Sequence, residues 1–310
     1  MSSEAPANPI KTPAHPRLPL FAYGSLKPTE LAFGLISPFV SRHEDATVDG
    51  VIRLRDGLPL LDPSTPGHVC GSLIFFDESA ADRAWQVVAK FEPSEQYEWN
   101  IASAFTEDGQ EVPANILIGK ELRRGTSGDP VARWSSAQDP VLHEGLIEVR
   151  QLVLEAAPTG VQAQPDSAGF WHQFFRLQAS YLLLWSVVER YTALRYGPGR
   201  GPMSRIERLG KDPAFRDALK KVGARPGKVI DSRDPSEEIW LRPTGTDGAK
   251  YYYAIRSNLS HRGKGAFRDG RLVLKAVVEL HDVMLELLAS HGSITAADWS
   301  ELQLRRLVPN

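Results

Sequence analysis

The chain has 310 residues, 42% hydrophobic and 24% charged, with a formal net charge of −2. These are ordinary proportions for a globular protein, and the length suits two domains at roughly 150 residues each. A single cysteine, Cys70, excludes an internal disulfide and a thiolate metal site, which fits a reducing cytosol. The proline-studded start, MSSEAPANPIKTPAHPRLPL, lacks the basic-then-apolar order of a signal peptide and reads as a disordered leader over 1–17. The most apolar helical stretch, YLLLWSVV at 181–188, is far shorter than the roughly 20 residues of a membrane span. A soluble, cytoplasmic protein without membrane contact is expected.

Between positions 190 and 228 there are eleven Lys or Arg against Glu207, Asp212 and Asp217, a local balance of +8. The rest of the chain is therefore acidic by −10 in sum, an asymmetry that suits a polyanion-binding surface such as one for RNA.

From 18 to 155 the pattern is mostly short strand-like runs. LFAYGSL (20–26), TVDGVIRL (47–54), HVCGSLIFFD (68–77), YEWNIASAFT (97–106) and VPANILIG (112–119) alternate or form compact apolar runs. Asp108-Gly109 marks a hairpin turn between the last two. One helix is expected over 79–91, where Ala80, Ala84, Val87, Val88 and Phe91 fall near helical spacing. The stretch 120–140 reads as a loop and GLIEVRQLVLE as a last strand, giving a mixed α+β barrel or sheet. The small, polar segment 156–169 reads as a linker.

From 170 to 310 the period becomes helical. A long helix ends at Gly197-Pro198-Gly199, two short helices follow, and helices over 249–263 and 270–292 close at Gly263 and Gly292. This half reads as all-α. No HExxH or CxxC pairing is present and the histidines are scattered, so neither metal nor cofactor is expected. Trp171, Phe174, Phe175 and Tyr181 lie at helical spacing and read as core or dimer interface.

AYGSL, followed by GVIRLRDGLPLLDPS, VCGSLIFFD and FEPSEQYEWNIA in order, resembles the gamma-glutamylcyclotransferase-like family. The resemblance implies a mixed β-barrel with Glu92 as the catalytic carboxylate and Tyr97 at the family's tyrosine position. In such enzymes the free α-amine of a γ-glutamyl group attacks the γ-carbonyl, giving 5-oxoproline and a free amine. A carboxylate must take a proton from the nucleophile and hand one to the leaving nitrogen, and burial can raise a glutamate's pKa enough for both. The turn Tyr23, Gly24, Ser25 and Leu26 is expected to bind a small amine- or carboxylate-bearing ligand through backbone N–H groups, with Gly24 permitting close approach.

In the second half, YYYAIRSNLSHRGKG after the upstream VVERYTALRYG resembles the HEPN superfamily, with its arginine and histidine separated by four to six residues. Arg256 and His261 are the candidate pair. His261 would move protons and Arg256 would hold a phosphate while a 2′-hydroxyl attacks phosphorus. Asn258 and Ser260 are candidates for binding the phosphate or orienting the pair, and Glu189 for partnering Arg256. Residues five apart on an ideal helix point about 140° from one another. One phosphate then meets both only if the last turn unwinds or a second protomer completes the site, and the resemblance implies a homodimer through the helices. The leading expectation is a metal-independent endoribonuclease with a ligand-binding or regulatory first domain. The alternatives are a γ-glutamyl amine cyclotransferase whose helices serve dimerisation, and a non-catalytic RNA- or protein-binding dimer.

Overall fold

The computed structural model describes residues 8–120, 129–160, 168–197, 202–231, 234–261, 266–292 and 301–305; of 157–160, 168, 202, 261 and 266–269 it describes the backbone alone. It is an α+β protein, a five-stranded barrel followed by helices. By internal contacts the chain divides into two units, one of residues 1–139 with 193–201, the other of 140–192 with 202–310.

In the first unit, β1 (Leu20–Ala22), β2 (Val40–Asp49), β5 (His68–Phe76), β6 (Tyr97–Thr106) and β7 (Glu111–Gly119) close in the order β1-β5-β2-β6-β7, with β1 and β7 pairing parallel. A separate hairpin pairs β3 (Val51–Arg55) with β4 (Leu58–Asp62). It turns at Asp56-Gly57, whose φ angles of 49° and 77° suit a two-residue turn that only such residues enter readily. The β6–β7 hairpin turns at the expected Asp108-Gly109.

Helix α1 (Ala81–Phe91) buries Ala84, Trp85, Val88 and Ala89, one face of a 3.6-residue period. These pack with Leu20, Leu26, Leu60, Ile74, Tyr97 and Leu117 in a common apolar cluster. The helix stops because Pro93 follows Glu92, and the residue before a proline is driven from helical to extended backbone. Glu92 accordingly adopts φ −99°, ψ 126°, while its N–H still closes on the Val88 carbonyl. That exit turns the Glu92 carbonyl away from the helix.

In the second unit, GLIEVRQLVLE is not a strand but part of α2 (Pro140–Gly160). Leu142, Leu146, Val149, Val153 and Ala156 are all buried, and their 4-3-4-3 spacing is a helical stripe. The expected linker is entered by this helix up to 160, and α3 (Ala168–Tyr196) begins at 168; residues 161–167 lie outside the described ones. Helices α4 (Pro202–Lys211) and α5 (Pro213–Val222) are the two short ones expected. Asp212 caps α5 by accepting the Ala214 N–H, and Gly223 ends it in the left-handed region.

The unit is not all-α. Strands β8 (Gly227–Ile230) and β9 (Glu238–Leu241) form an antiparallel hairpin before α6 (Gly248–His261) and α7 (Ala266–Ser290). GKVI and EIWL each put one apolar side chain inward, Val229 and Leu241, too short a run to show a period of two in the sequence. The Tyr181 hydroxyl donates to the Tyr252 carbonyl at 2.8 Å and Gln178 donates to that of Leu259 at 3.1 Å, fixing α3 along α6. No helix among the described residues is long and apolar enough to cross a membrane.

Candidate functional site

The first candidate site lies in the barrel unit. Past the end of β1 the chain turns through Tyr23, Gly24, Ser25 and Leu26. The Lys27 N–H closes the turn on the Gly24 carbonyl at 3.0 Å, and the Ala32 N–H bonds the Ser25 carbonyl at 3.0 Å. Leu26 is buried in the apolar cluster and anchors the turn. A Cβ on Gly24 would come within 3.1 Å of the Pro59 ring, so the loop and the β3–β4 hairpin approach closely only because that position is glycine. Among the described residues, the N–H groups of Gly24, Ser25 and Leu26 have no hydrogen-bond acceptor.

Two phenols frame this turn. The Tyr23 hydroxyl donates to the Leu117 carbonyl at 2.6 Å and accepts the Leu61 N–H at 3.3 Å. The Tyr97 hydroxyl donates to the Pro59 carbonyl at 3.0 Å. Both rings are buried. Burial drives the Tyr23 phenol well above its usual pKa, and the nearby Glu92 carboxylate adds to the effect. Tyr23 and Tyr97 are thus fixed posts between strands and hairpin.

Glu92 is the chemically poised group. Its carboxyl is raised by burial from the usual 4.5 to about 8. Among the described residues it has no hydrogen-bond or ion-pair partner that would hold it ionised. A carboxyl in that state takes and returns a proton near neutral pH, the property a general acid–base needs. Glu95 and Glu98, its neighbours in sequence, face outward and exposed. Beside the turn, Lys27 is buried, donates to the Trp134 carbonyl at 2.6 Å and has its pKa lowered, chiefly by burial; Glu30 accepts both the N–H and the hydroxyl of Ser136. These two residues hold the 134–136 segment in place.

One contributor leaves only a faint trace in the sequence. Residues 8–17, expected to be disordered, are described from Asn8 on and are tied to the segment leaving α1, where the Ile10 N–H donates to the Glu92 carbonyl at 3.1 Å. The one available signal is the isolated aliphatic Ile10 in an otherwise polar, proline-rich stretch.

The second candidate site, on α6, is less assembled. Arg256 is half-buried, and its guanidinium has no ion-pair or hydrogen-bond partner among the described residues. Glu189 does not meet it; its carboxylate accepts the Trp185 indole N–H at 2.8 Å, four residues back on α3. Asn258 lies about 200° round the helix from Arg256 and donates to the Ile230 carbonyl at 3.0 Å. Ser260 bonds the Arg256 carbonyl of its own helix at 2.9 Å. Glu189 and Ser260 thus bond within their own helices, while Asn258 reaches the end of β8. The backbone of His261 ends α6, and its side chain, like Gly263, lies outside the described residues. In the basic run, Lys220 pairs with Asp217, Lys221 with Glu286 and Lys228 with Glu238, so part of its charge is neutralised locally. Among the described residues, no group of three or more His, Cys, Asp or Glu could hold a metal ion.

No protein-family model matches the chain, and no curated protein does. Among solved structures the chain is similar to YkqA from Bacillus subtilis at 18% identity, over 41% of this chain and 42% of that one, with a TM-score of 0.29. The chain thus spans less than half the length of that protein.

Proposed function

We propose that the barrel unit is a cyclotransferase that takes a γ-glutamyl amine, closes it to 5-oxoproline and releases the amine. The observation that carries this reading is the Glu92 carboxyl, raised to about 8 by burial and free of partners among the described residues, close to a turn with unbonded N–H groups. The sequence resemblance to the gamma-glutamylcyclotransferase-like family points to the same residues.

In this mechanism the N–H groups of the Gly24–Leu26 turn hold a carboxylate or the developing oxyanion of the substrate. Glu92, ionised, takes a proton from the α-ammonium as its nitrogen forms the new bond to the γ-carbon. The protonated Glu92 then gives that proton to the departing nitrogen as the old amide bond breaks. The ring nitrogen sheds its second proton to the re-ionised Glu92, which passes it to the freed amine, so one γ-glutamyl amine yields one 5-oxoproline and one ammonium and Glu92 ends ionised. The test is 5-oxoproline release by the full chain, which Glu92→Gln abolishes if the assignment is right.

A second reading belongs to the helical unit. The partner-free Arg256 guanidinium shares a face of α6 with Tyr253, and a free guanidinium is a ready ligand for phosphate. With His261 as the proton carrier this would be a metal-independent endoribonuclease of HEPN type, completed by a second protomer. RNA cleavage in EDTA, lost in both Arg256→Ala and His261→Ala, supports it; cleavage retained in either variant removes it.

A further inference from the structure

Residues 8–17 run along the segment that leaves α1. Pro9 and Pro93 face each other as an antiparallel bridge. On one side of it the Ile10 N–H donates to the Glu92 carbonyl at 3.1 Å, and on the other the Ser94 N–H donates to that of Asn8 at 2.9 Å. The Asn8 N–H in turn reaches Glu95 Oε1 at 3.1 Å. The indoles of Trp85 and Trp99, edge to face at 5.6 Å, fasten the same stretch: Trp99 Nε1 donates to the Lys11 carbonyl at 2.6 Å and Trp85 Nε1 to that of Pro16 at 2.9 Å. Asn115 adds donations to the carbonyls of His15 and Leu18 at 2.8 and 3.1 Å.

The register has a chemical consequence. With Pro9 opposite Pro93, Ile10 stands opposite Glu92, and residues directly opposite on an antiparallel pair project their side chains to the same face. That face is the apolar cluster, where Ile10 is only 9% exposed among Leu26, Leu60, Tyr97 and Leu117. The register thus sets an aliphatic side chain across from half-buried Glu92 on this side.

We propose that the segment from Asn8 to Lys11 is the outer wall of the Glu92 site, with Ile10 as its positioning residue. Its N–H fixes the backbone from which the carboxyl projects, and its side chain keeps water from that carboxyl. The inference rests on Glu92 being the acid–base group. The raised Glu92 pKa has burial as its cause, and the wall supplies part of that burial. Trp99 acts one step further out, as the clasp that keeps Lys11, and so Ile10, in place.

The test is the titration of the Glu92 carboxyl in the full chain by ¹³C NMR on glutamate-labelled protein, the signal being assigned by its loss in Glu92→Gln. Ile10→Ala trims the wall, and Trp99→Phe removes the indole donor while keeping an aromatic ring, so one of the two serves even if the other folds poorly. The wild-type midpoint is expected near 8, falling by about one pH unit in each variant. The rising limb of the kcat–pH profile for 5-oxoproline release from L-γ-glutamyl ethylamide should move down in step, with KM little changed. A midpoint that stays put in both variants, or an ordinary carboxylate midpoint in the wild type, overturns the wall. If the midpoint moves but no wild-type preparation releases 5-oxoproline, the wall stands and the cyclotransferase reading fails.

Discussion

The hydroxyl of Tyr23 donates to the carbonyl of Leu117 at 2.6 Å, tying the chain just past β1 to β7, and it also accepts the Leu61 N–H at 3.3 Å. One buried phenol thus joins barrel and hairpin at the edge of the candidate site. Tyr23→Phe keeps the ring but leaves a carbonyl and an N–H without their partner. A loss of about 1–3 kcal/mol is expected for such orphaned buried groups. Urea unfolding would show it as a lower midpoint at unchanged slope.

Glu92 should make stability fall as pH rises. Its folded pKa of about 8 lies above the usual 4.5, so between these values the folded chain holds a proton that the unfolded chain has released. Each pH unit across this window costs about 1.4 kcal/mol at most, and the loss levels off above pH 8. Glu92→Gln cannot ionise, so the variant should be more stable than wild type at pH 8 by up to a few kcal/mol and similar to it near pH 4. Denaturant midpoints at the two pH values measure the difference.

Much of the barrel was legible in the sequence because its strands are long enough to show their period. β5, β6 and β7 match their expected runs within a residue or two, and Asp108-Gly109 turns where expected. The β3–β4 hairpin went unseen although Asp56-Gly57 marks its turn, since LPLLD shows no alternation. GLIEVRQLVLE looked like a strand because β-branched and aliphatic residues cluster in it, yet its neighbours Leu142 and Ala156 complete a helical stripe. At the site, Glu92 and the Tyr23–Leu26 turn were visible as a motif. Ile10 was not, because its role comes from pairing with a segment more than 80 residues away in sequence, which no local pattern records.

The helical unit depends on a buried pair. Asp282 is fully buried and its carboxylate accepts the N–H groups of Leu304 and Arg305 at 3.0 and 3.2 Å. It also lies 3.1 Å from His281 Nδ1, while His281 Nε2 faces the Leu146 carbonyl at 3.2 Å. Asp282→Ala takes this partner from the Leu304 and Arg305 N–H groups and from His281 Nδ1. A destabilisation of about 3–5 kcal/mol is expected, as for one partner removed from a buried polar pair, read as an early unfolding transition by circular dichroism.

Arg256 should behave in the opposite way. With no partner among the described residues, its removal breaks no ion pair. Arg256→Ala is expected to change stability by no more than about 0.5 kcal/mol. A thermal scan checks this, and a large loss would show that the arginine holds helices together and is not free to meet a phosphate.

The most direct test of the central claim is 5-oxoproline release from L-γ-glutamyl ethylamide by the full chain, beside Glu92→Gln and beside the N-acetylated substrate, whose blocked amine cannot attack. Release by wild type alone, on the free-amine substrate alone, is the predicted result. Release that persists in Glu92→Gln, or none from wild type on any γ-glutamyl amine, would contradict the assignment of Glu92 as the acid–base of a cyclotransferase.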